Sequence, residues 1–265
     1  METITQARPS LTNNDAAVLQ ALFDAESSPS SGVKVDPTLP SWPAAVNISQ
    51  TDLTTLKTRE TQIILNLQAT STPTEETVQT ALKELNTLLE EYPTYPPAYT
   101  NRAQTLRLLA DLEYNNHTTH SAKTESEPES ITDESLFTPE ASDLSSKIFA
   151  DLGKAITLAT PVSPADPISS VQARLLADAH THRGYLLLKA ARVKKTRPGV
   201  EVDSVGPERL RGHSADQLEE MASRDFFLGG RYGNKVAQQM AVQTNPYAKM
   251  CGAIVKEAMR KEMEG

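Results

Sequence analysis

Histidines are the residues of this sequence whose type and spacing first suggest chemistry. His117 and His120 bracket two threonines, a spacing that brings two imidazoles to one metal ion on a helical turn. The surrounding sequence is that of a loop and has no nearby cysteine, so solvated loop histidines are the favoured interpretation. His180 and His182 are two residues apart, which points them to different faces of a helix.

Catalytic patterns are otherwise missing from the sequence. No nucleophile–base pair can be assigned, and the glycines at Gly229, Gly230 and Gly233 are not followed by the Gly-Lys-Ser/Thr of a phosphate-binding loop. The sequence therefore predicts a protein that is not an enzyme, with no catalytic residue, no cofactor and no metal ligand. A hydrolase or metal enzyme is the last-ranked hypothesis.

Composition and charge restrict the remaining classes. The chain has 265 residues with a formal net charge of −8, which disfavours nonspecific binding to nucleic acid or to an anionic membrane. No stretch approaches the roughly 20 apolar residues of a membrane span, and the N-terminus lacks the basic segment and apolar core of a secretory signal. The lone Cys251 excludes an internal disulfide framework. We therefore expect a cytoplasmic protein.

A short basic cluster leaves a nuclear location open as well. Its residues are Arg192, Lys194, Lys195 and Arg197. Cations at the C-terminal end of a helix are favoured by the helix dipole, and this local role is sufficient to explain the cluster. A nuclear import signal is the alternative.

Residues 81–110 carry the strongest structural pattern. Leu82, Leu85, Leu88 and Leu89 recur at three- and four-residue spacing, which places them on one helical face. Prolines between 93 and 97 then mark a turn, and a second helix follows. The alternation of small and large residues across this corner matches a tetratricopeptide repeat read from one unit into the next. An unrelated helical bundle is the alternative.

Similar spacing later in the chain extends this pattern to three degenerate repeats. Arg183-Gly184 repeats Arg102-Ala103, and Ile148 and Ala222 stand in second-helix positions. The sequence predicts an all-α stack of helical hairpins with long loop insertions and flanking helices. The expected divisions are 1–52 for an N-terminal helix and a Pro/Ser-rich linker with Trp42 as an anchor, 53–230 for the repeats with insertions near 115–138 and 194–213, and 231–265 for C-terminal capping helices.

Three segments together resemble the tetratricopeptide repeat protein 36 family of small three-repeat proteins. They are NDAAVLQALF at 14–23, AYTNRAQ at 98–104 and NPYAKMC at 245–251. The resemblance covers the helices but not the insertions. It implies a scaffold without catalytic activity, and it implies as partners an Hsp70-type chaperone or the tyrosine-catabolism enzyme 4-hydroxyphenylpyruvate dioxygenase, which such a protein would stabilise.

The resemblance also implies a groove lined by the first helices of the repeats. Relatives that clasp a terminal carboxylate line this groove with lysine, arginine and asparagine, because an anion needs several converging donors. Lys57 and Asn101 match that pattern here, whereas Thr61, Asp178 and His182 replace the other donors. The predicted partner-binding residues are Lys57, Asn101, Arg102, Asp178, His182 and Arg183, and we do not expect them to form a carboxylate clamp.

Two functional hypotheses are therefore favoured. In the first, a noncatalytic adaptor binds a protein segment along the groove. In the second, an enzyme stabiliser contacts its partner through the terminal helices instead. Neither hypothesis requires a nucleic acid or a membrane.

Overall fold

The computed structural model describes residues 33–69, 71–120, 135–196, 206–245 and 260–261. Within this part the helices are α1 (Gln50–Leu67), α2 (Glu75–Glu91), α3 (Pro96–His120), α4 (Ser142–Ala159), α5 (Ser170–Thr196), α6 (Ala215–Arg231) and α7 (Lys235–Thr244). Short 3-10 turns lie at Ala44–Val46, Ser135–Phe137 and Glu208–Leu210. The described residues form no strand beyond one isolated bridge, so the predicted all-α class is confirmed.

The helices pack in the order of the chain. Each helix contacts the next one along the sequence, from α1 against α2 to α6 against α7. The result is a stack of three helical hairpins, α1–α2, α3–α4 and α5–α6, with α7 packed on the last. Leu85, Leu88, Ile148, Leu152 and Phe226 are fully buried between the layers. The apolar face anticipated for residues 81–89 therefore lies in the core.

Local sequence signals set several helix ends. The side chain of Thr74 accepts a hydrogen bond from the backbone N–H of Thr77 at the start of α2, and Pro96 is the first residue of α3, where no N–H is needed. A capping box of Ser214 and Gln217 starts α6. Gly233 adopts a φ of 107°, a left-handed conformation that suits glycine and separates α6 from α7.

Some helix ends differ from the expected ones. Helix α3 continues to His120, past residue 115 where we expected an insertion, so His117 and His120 occupy helical rather than loop positions. Helix α5 extends to Thr196, into the segment expected to be the second insertion. The expected N-terminal helix, the acidic stretch around 125–134 and the C-terminal helix with Cys251 lie outside the described residues.

A strap of residues 33–47 crosses the hairpins before α1 begins. Val35 forms a parallel bridge with Ile168: the N–H of Asp36 donates to the carbonyl of Ile168 at 2.8 Å, and the N–H of Ile168 donates to the carbonyl of Lys34 at 2.9 Å. Trp42 is buried with its ring edge-on to Tyr95, centroids 6.4 Å apart. The strap thus connects the start of α5 to the turn before α3, and Trp42 anchors it as predicted.

Candidate partner-binding groove

A groove of about 230 Å³ lies between α3 and α5, with Trp42 of the strap at its wall. Both polar and apolar residues line it, including Thr100, Asn101, Gln104, Val171, Arg174, Leu175, Asp178 and His182. The structure therefore brings together three of the six residues predicted from the sequence, namely Asn101, Asp178 and His182. Lys57 is exposed on α1 and does not line this groove.

The side chain of Asn101 already binds a carboxylate of the same chain. Its side-chain amide donates to Oε1 of Glu60 at 2.6 Å, and the Tyr95 hydroxyl donates to Oε2 of the same glutamate at 2.5 Å. Burial raises the pKa of Glu60, while the hydrogen bonds from Tyr95 and Asn101 oppose that rise. The residue that matched a carboxylate clamp in the sequence is thus a partner of Glu60, which supports the expectation that the groove is not such a clamp.

His182 is the groove residue with the most perturbed ionisation. Its burial, together with the nearby charges of Arg107 and Lys189, lowers the pKa to about 4. The Nε2 atom is buried and has no hydrogen-bond partner within the described residues. His182 is consequently neutral at neutral pH. One turn away, burial raises the pKa of Asp178, and Arg174 and a hydrogen bond with Asn234 counter this effect.

Arg102 and Arg183 do not line this groove but form equivalent ion pairs with aspartates of neighbouring helices. Arg102 donates from Nε and NH2 to Asp151 on α4, at 2.8 and 2.6 Å. Arg183 donates in the same way to Asp225 on α6, at 2.7 Å for both bonds. Both aspartates are buried. The repeated Arg-Ala and Arg-Gly dipeptides of the sequence therefore belong to the packing within the hairpins. There each arginine is paired with an aspartate of the same chain.

The second of these pairs carries an extra histidine. Nδ1 of His180 lies 2.8 Å from Oδ1 of Asp225, and the imidazole stacks on the ring of Tyr232. Burial alone would raise the pKa of Asp225, but the hydrogen bonds from His180 and Arg183 outweigh it and hold the pKa below its usual range. His180 and His182 face different surroundings, as their spacing predicted. His180 belongs to the interior network, whereas His182 belongs to the groove.

Sequence reasoning missed the partners of these predicted residues. Glu60, Asp151 and Asp225 lie 41, 49 and 42 positions along the chain from Asn101, Arg102 and Arg183, respectively. No local spacing indicates such contacts. One usable signal was that each buried aspartate precedes a large apolar residue, in Asp151-Leu152 and Asp225-Phe226, at matching places of the second helices.

The basic cluster at the end of α5 is engaged locally. The Lys194 ammonium donates to the carbonyls of Arg211 and His213, at 2.9 and 2.6 Å. Lys195 pairs with Glu219 at 2.7 Å. Arg197 lies outside the described residues. These contacts fit the local interpretation of the cluster.

Two further findings concern metals and membranes. In the ranges that the structure describes, no group of three or more histidine, cysteine, aspartate or glutamate side chains is placed to hold a metal ion. Among the same residues, no helix combines the length and the apolarity that crossing a membrane requires.

The fold and groove define a helical-hairpin stack with an open surface between first helices. No protein-family model matches the sequence, and no solved structure matches the chain. The chain is 59% identical over 263 residues to the L-tyrosine degradation gene cluster protein hmgX of Aspergillus fumigatus, an alignment that covers 99% of this chain and 97% of the relative. The chain belongs to the family of that protein.

Proposed function

We propose that this protein is a noncatalytic scaffold of tyrosine degradation that binds a protein partner through the groove between α3 and α5. The observation that carries the proposal is the full-length similarity to a protein named for a tyrosine-degradation gene cluster. The helical-hairpin stack supports it, because stacked hairpins present an extended surface built from several helices.

The lining of the groove indicates the kind of segment that it binds. Val171 is 49% exposed at the rim, and Trp42 supplies an aromatic wall. Arg174 and Asp178 offer one charge of each sign on the same helix. Since Asn101 is bound to Glu60, the groove has few free donors for an anion. An internal peptide segment with an apolar anchor and flanking charges suits this surface better than a terminal carboxylate does.

The partner that we test first is 4-hydroxyphenylpyruvate dioxygenase. The resemblance to the tetratricopeptide repeat protein 36 family suggests this enzyme and an Hsp70-type chaperone, and the name of the Aspergillus relative favours the enzyme of tyrosine breakdown. In this proposal the scaffold stabilises its partner and performs no chemistry on it.

An alternative contact surface is α7. Val236 and Val242 are 50% and 59% exposed on this short helix. Exposed apolar side chains on one terminal helix are what the enzyme-stabiliser hypothesis requires.

Two matched valine variants separate these surfaces. Val171 and Val236 are each the second residue of a helix, α5 and α7, and they are nearly equally exposed. Val171→Glu and Val236→Glu therefore add the same charge in the same helical position. We measure binding of each purified full-length variant to the purified dioxygenase by titration calorimetry.

The groove proposal predicts that Val171→Glu weakens binding by about tenfold or more, which is about 1.4 kcal/mol, while Val236→Glu binds like the unmodified protein. The reverse pattern supports the α7 surface. If neither the dioxygenase nor an Hsp70-type chaperone binds the unmodified protein, the partner assignment is wrong.

A further inference from the structure

The two layers that join one hairpin to the next contain equivalent cavities. The first junction, formed by α2, α3 and α4, has a cavity lined by Leu82, Arg102, Leu106 and Asp151 among others. The second junction, formed by α4, α5 and α6, has Phe149, Arg183, Leu187 and Asp225 at the corresponding places. Each cavity is thus lined by one of the arginine–aspartate pairs.

The second cavity differs from the first in the charge that faces it. At the places of Lys147 and Ala150 in α4, helix α6 has Met221 and Arg224. The segment 206–213 adds Arg209, Leu210 and His213 to the second cavity. Arg224 of α6 and Arg209 of this segment thus bring two arginines to the lining of a cavity of about 420 Å³.

The segment that brings Arg209 is held in place by its own contacts. The Arg211 guanidinium donates to Oγ of Ser142 at 3.0 Å, and the Ser142 hydroxyl donates to the carbonyl of Gly206 at 2.9 Å. Lys194 donates to the carbonyls on both sides of Gly212. The segment is therefore pinned to α4 and α5, and the cavity wall is preformed.

The positive charge of this cavity is not balanced by its one carboxylate. Asp225 is buried and its oxygens already accept hydrogen bonds from Arg183 and His180. Arg209 and Arg224 are exposed and form no ion pair with the described residues. Nδ1 of His213 is buried without a hydrogen-bond partner in the same part of the chain. In a chain whose net charge is −8, this cavity is locally positive.

The rest of the lining decides which anion. Phe149, Leu187, Leu210 and Met221 give the cavity an apolar floor. Small-molecule sites are typically about 300–1,000 Å³, mainly apolar, and carry a few placed polar groups. A bare inorganic anion would leave the apolar floor unused, whereas an arginine fork binds a carboxylate through two parallel hydrogen bonds.

We propose that the cavity of the second junction binds a small organic carboxylate with an aromatic or other apolar body. The carboxylate pairs with Arg209 and Arg224, and the apolar body lies against Phe149 and Met221. This site is separate from the partner-binding groove and does not depend on it.

Three test ligands divide the recognition into its parts. The ligand 2-naphthylacetate has both the charge and the ring, 2-(2-naphthyl)ethanol has the ring without the charge, and acetate has the charge without the ring. Binding to the full-length protein is followed by titration calorimetry and by ligand-observed nuclear magnetic resonance. We expect naphthylacetate to bind at least about tenfold more tightly than either of the others, since each lacks one of the two interactions.

Variants then locate the site. Arg209→Gln combined with Arg224→Gln is expected to weaken naphthylacetate binding by about tenfold or more, as is Met221→Glu, which places a competing carboxylate in the wall. Arg174→Gln removes an exposed helical arginine that lies in the other groove, and it should bind naphthylacetate normally. Unfolding curves of all variants check that the fold is kept.

Several results would overturn the proposal. The first is that naphthylacetate does not bind. The second is that the alcohol or acetate binds as tightly as naphthylacetate, and the third is that Arg174→Gln weakens naphthylacetate binding as much as the double variant does. Because the ligands are small molecules and no partner protein is added, this outcome is independent of whether the dioxygenase binds.

Discussion

The two junctions of the stack solve the same packing problem with different side chains. In the first, Ala103 of α3 and Leu152 of α4 occupy the positions that Gly184 of α5 and Phe226 of α6 occupy in the second. A Cβ added at Gly184 would lie 3.0 Å from the Phe226 ring. The smaller residue on one helix thus compensates for the larger one on the next, so that both junctions keep close helix contacts.

The polar interactions differ in the same way. Arg102 binds Asp151 and also donates to Asn86 at 2.8 Å, while its guanidinium lies over the Tyr99 ring. In the second junction it is the aspartate that has the additional partner, His180. In the first junction the arginine of the pair therefore has the additional partners, whereas in the second junction the aspartate has one.

The largest expected change in stability comes from removing the charge of either buried aspartate. Asp225→Asn leaves the partly buried Arg183 without its counterion and weakens the bond to His180, so we expect a loss of about 3 kcal/mol in the free energy of unfolding. Asp151→Asn should cost about 1 kcal/mol less, because one fewer hydrogen bond is affected. Equilibrium urea unfolding measures both. A larger loss for Asp151→Asn would contradict the assignment of the more extensive network to Asp225.

The pH dependence of stability compares two titratable groups. They are His182, which is the counterpart of Asn101 in the third hairpin, and Glu60, which binds Asn101. The unfolded state binds a proton at His182 near its ordinary pKa of 6.5, whereas the folded state binds it only near pH 4. Stability from this group is therefore full above pH 6.5 and falls as the pH is lowered towards 4, by about 3 kcal/mol. The raised pKa of Glu60 beside Asn101 acts with the opposite sign, because protonation of that carboxyl favours the folded state.

The variant His182→Gln isolates the histidine effect. Its unfolding free energy, measured from pH 7 to pH 4, should fall less steeply than that of the unmodified protein. Parallel curves would show that His182 is not buried in its neutral form.

Exchanging the packing residues tests their compensation. Gly184→Ala forces the Phe226 ring to move and should cost about 1–3 kcal/mol. Adding Phe226→Leu recreates the residue pair of the first junction and should recover part of that loss. Gly153→Ala is the matched helical control: a Cβ there meets nothing within 4 Å, so this change should stabilise the protein by about 0.5–1 kcal/mol. Thermal unfolding of the unmodified protein and of these three variants measures the changes in stability.

The smallest expected difference concerns the second helices of the first and last hairpins. Ser214 takes part in a reciprocal capping box, whereas Thr74 supplies a cap in one direction. Ser214→Ala should destabilise the protein by about 1 kcal/mol and Thr74→Ala by about 0.5 kcal/mol. Urea midpoints with unchanged slopes would measure both, and an equal effect would remove the distinction between these two caps.

Sequence periodicity predicted the all-α class and most helix cores, because leucine spacing and proline punctuation act locally. It predicted Arg102 and Arg183 as groove residues, because both lie on the first helices of their repeats. Their aspartate partners lie on other helices, and only packing brings them together. The strap was recognised as a linker anchored by Trp42, but its bridge to Ile168 depends on backbone groups that carry no sequence signal.

Hydrogen–deuterium exchange can show whether the partner binds between α3 and α5. The full-length protein is compared with and without saturating 4-hydroxyphenylpyruvate dioxygenase. We expect slower exchange in residues 97–104 and 171–182 when the enzyme is bound, with no change in 235–244. Protection confined to 235–244, with unchanged exchange along α3 and α5, would contradict it.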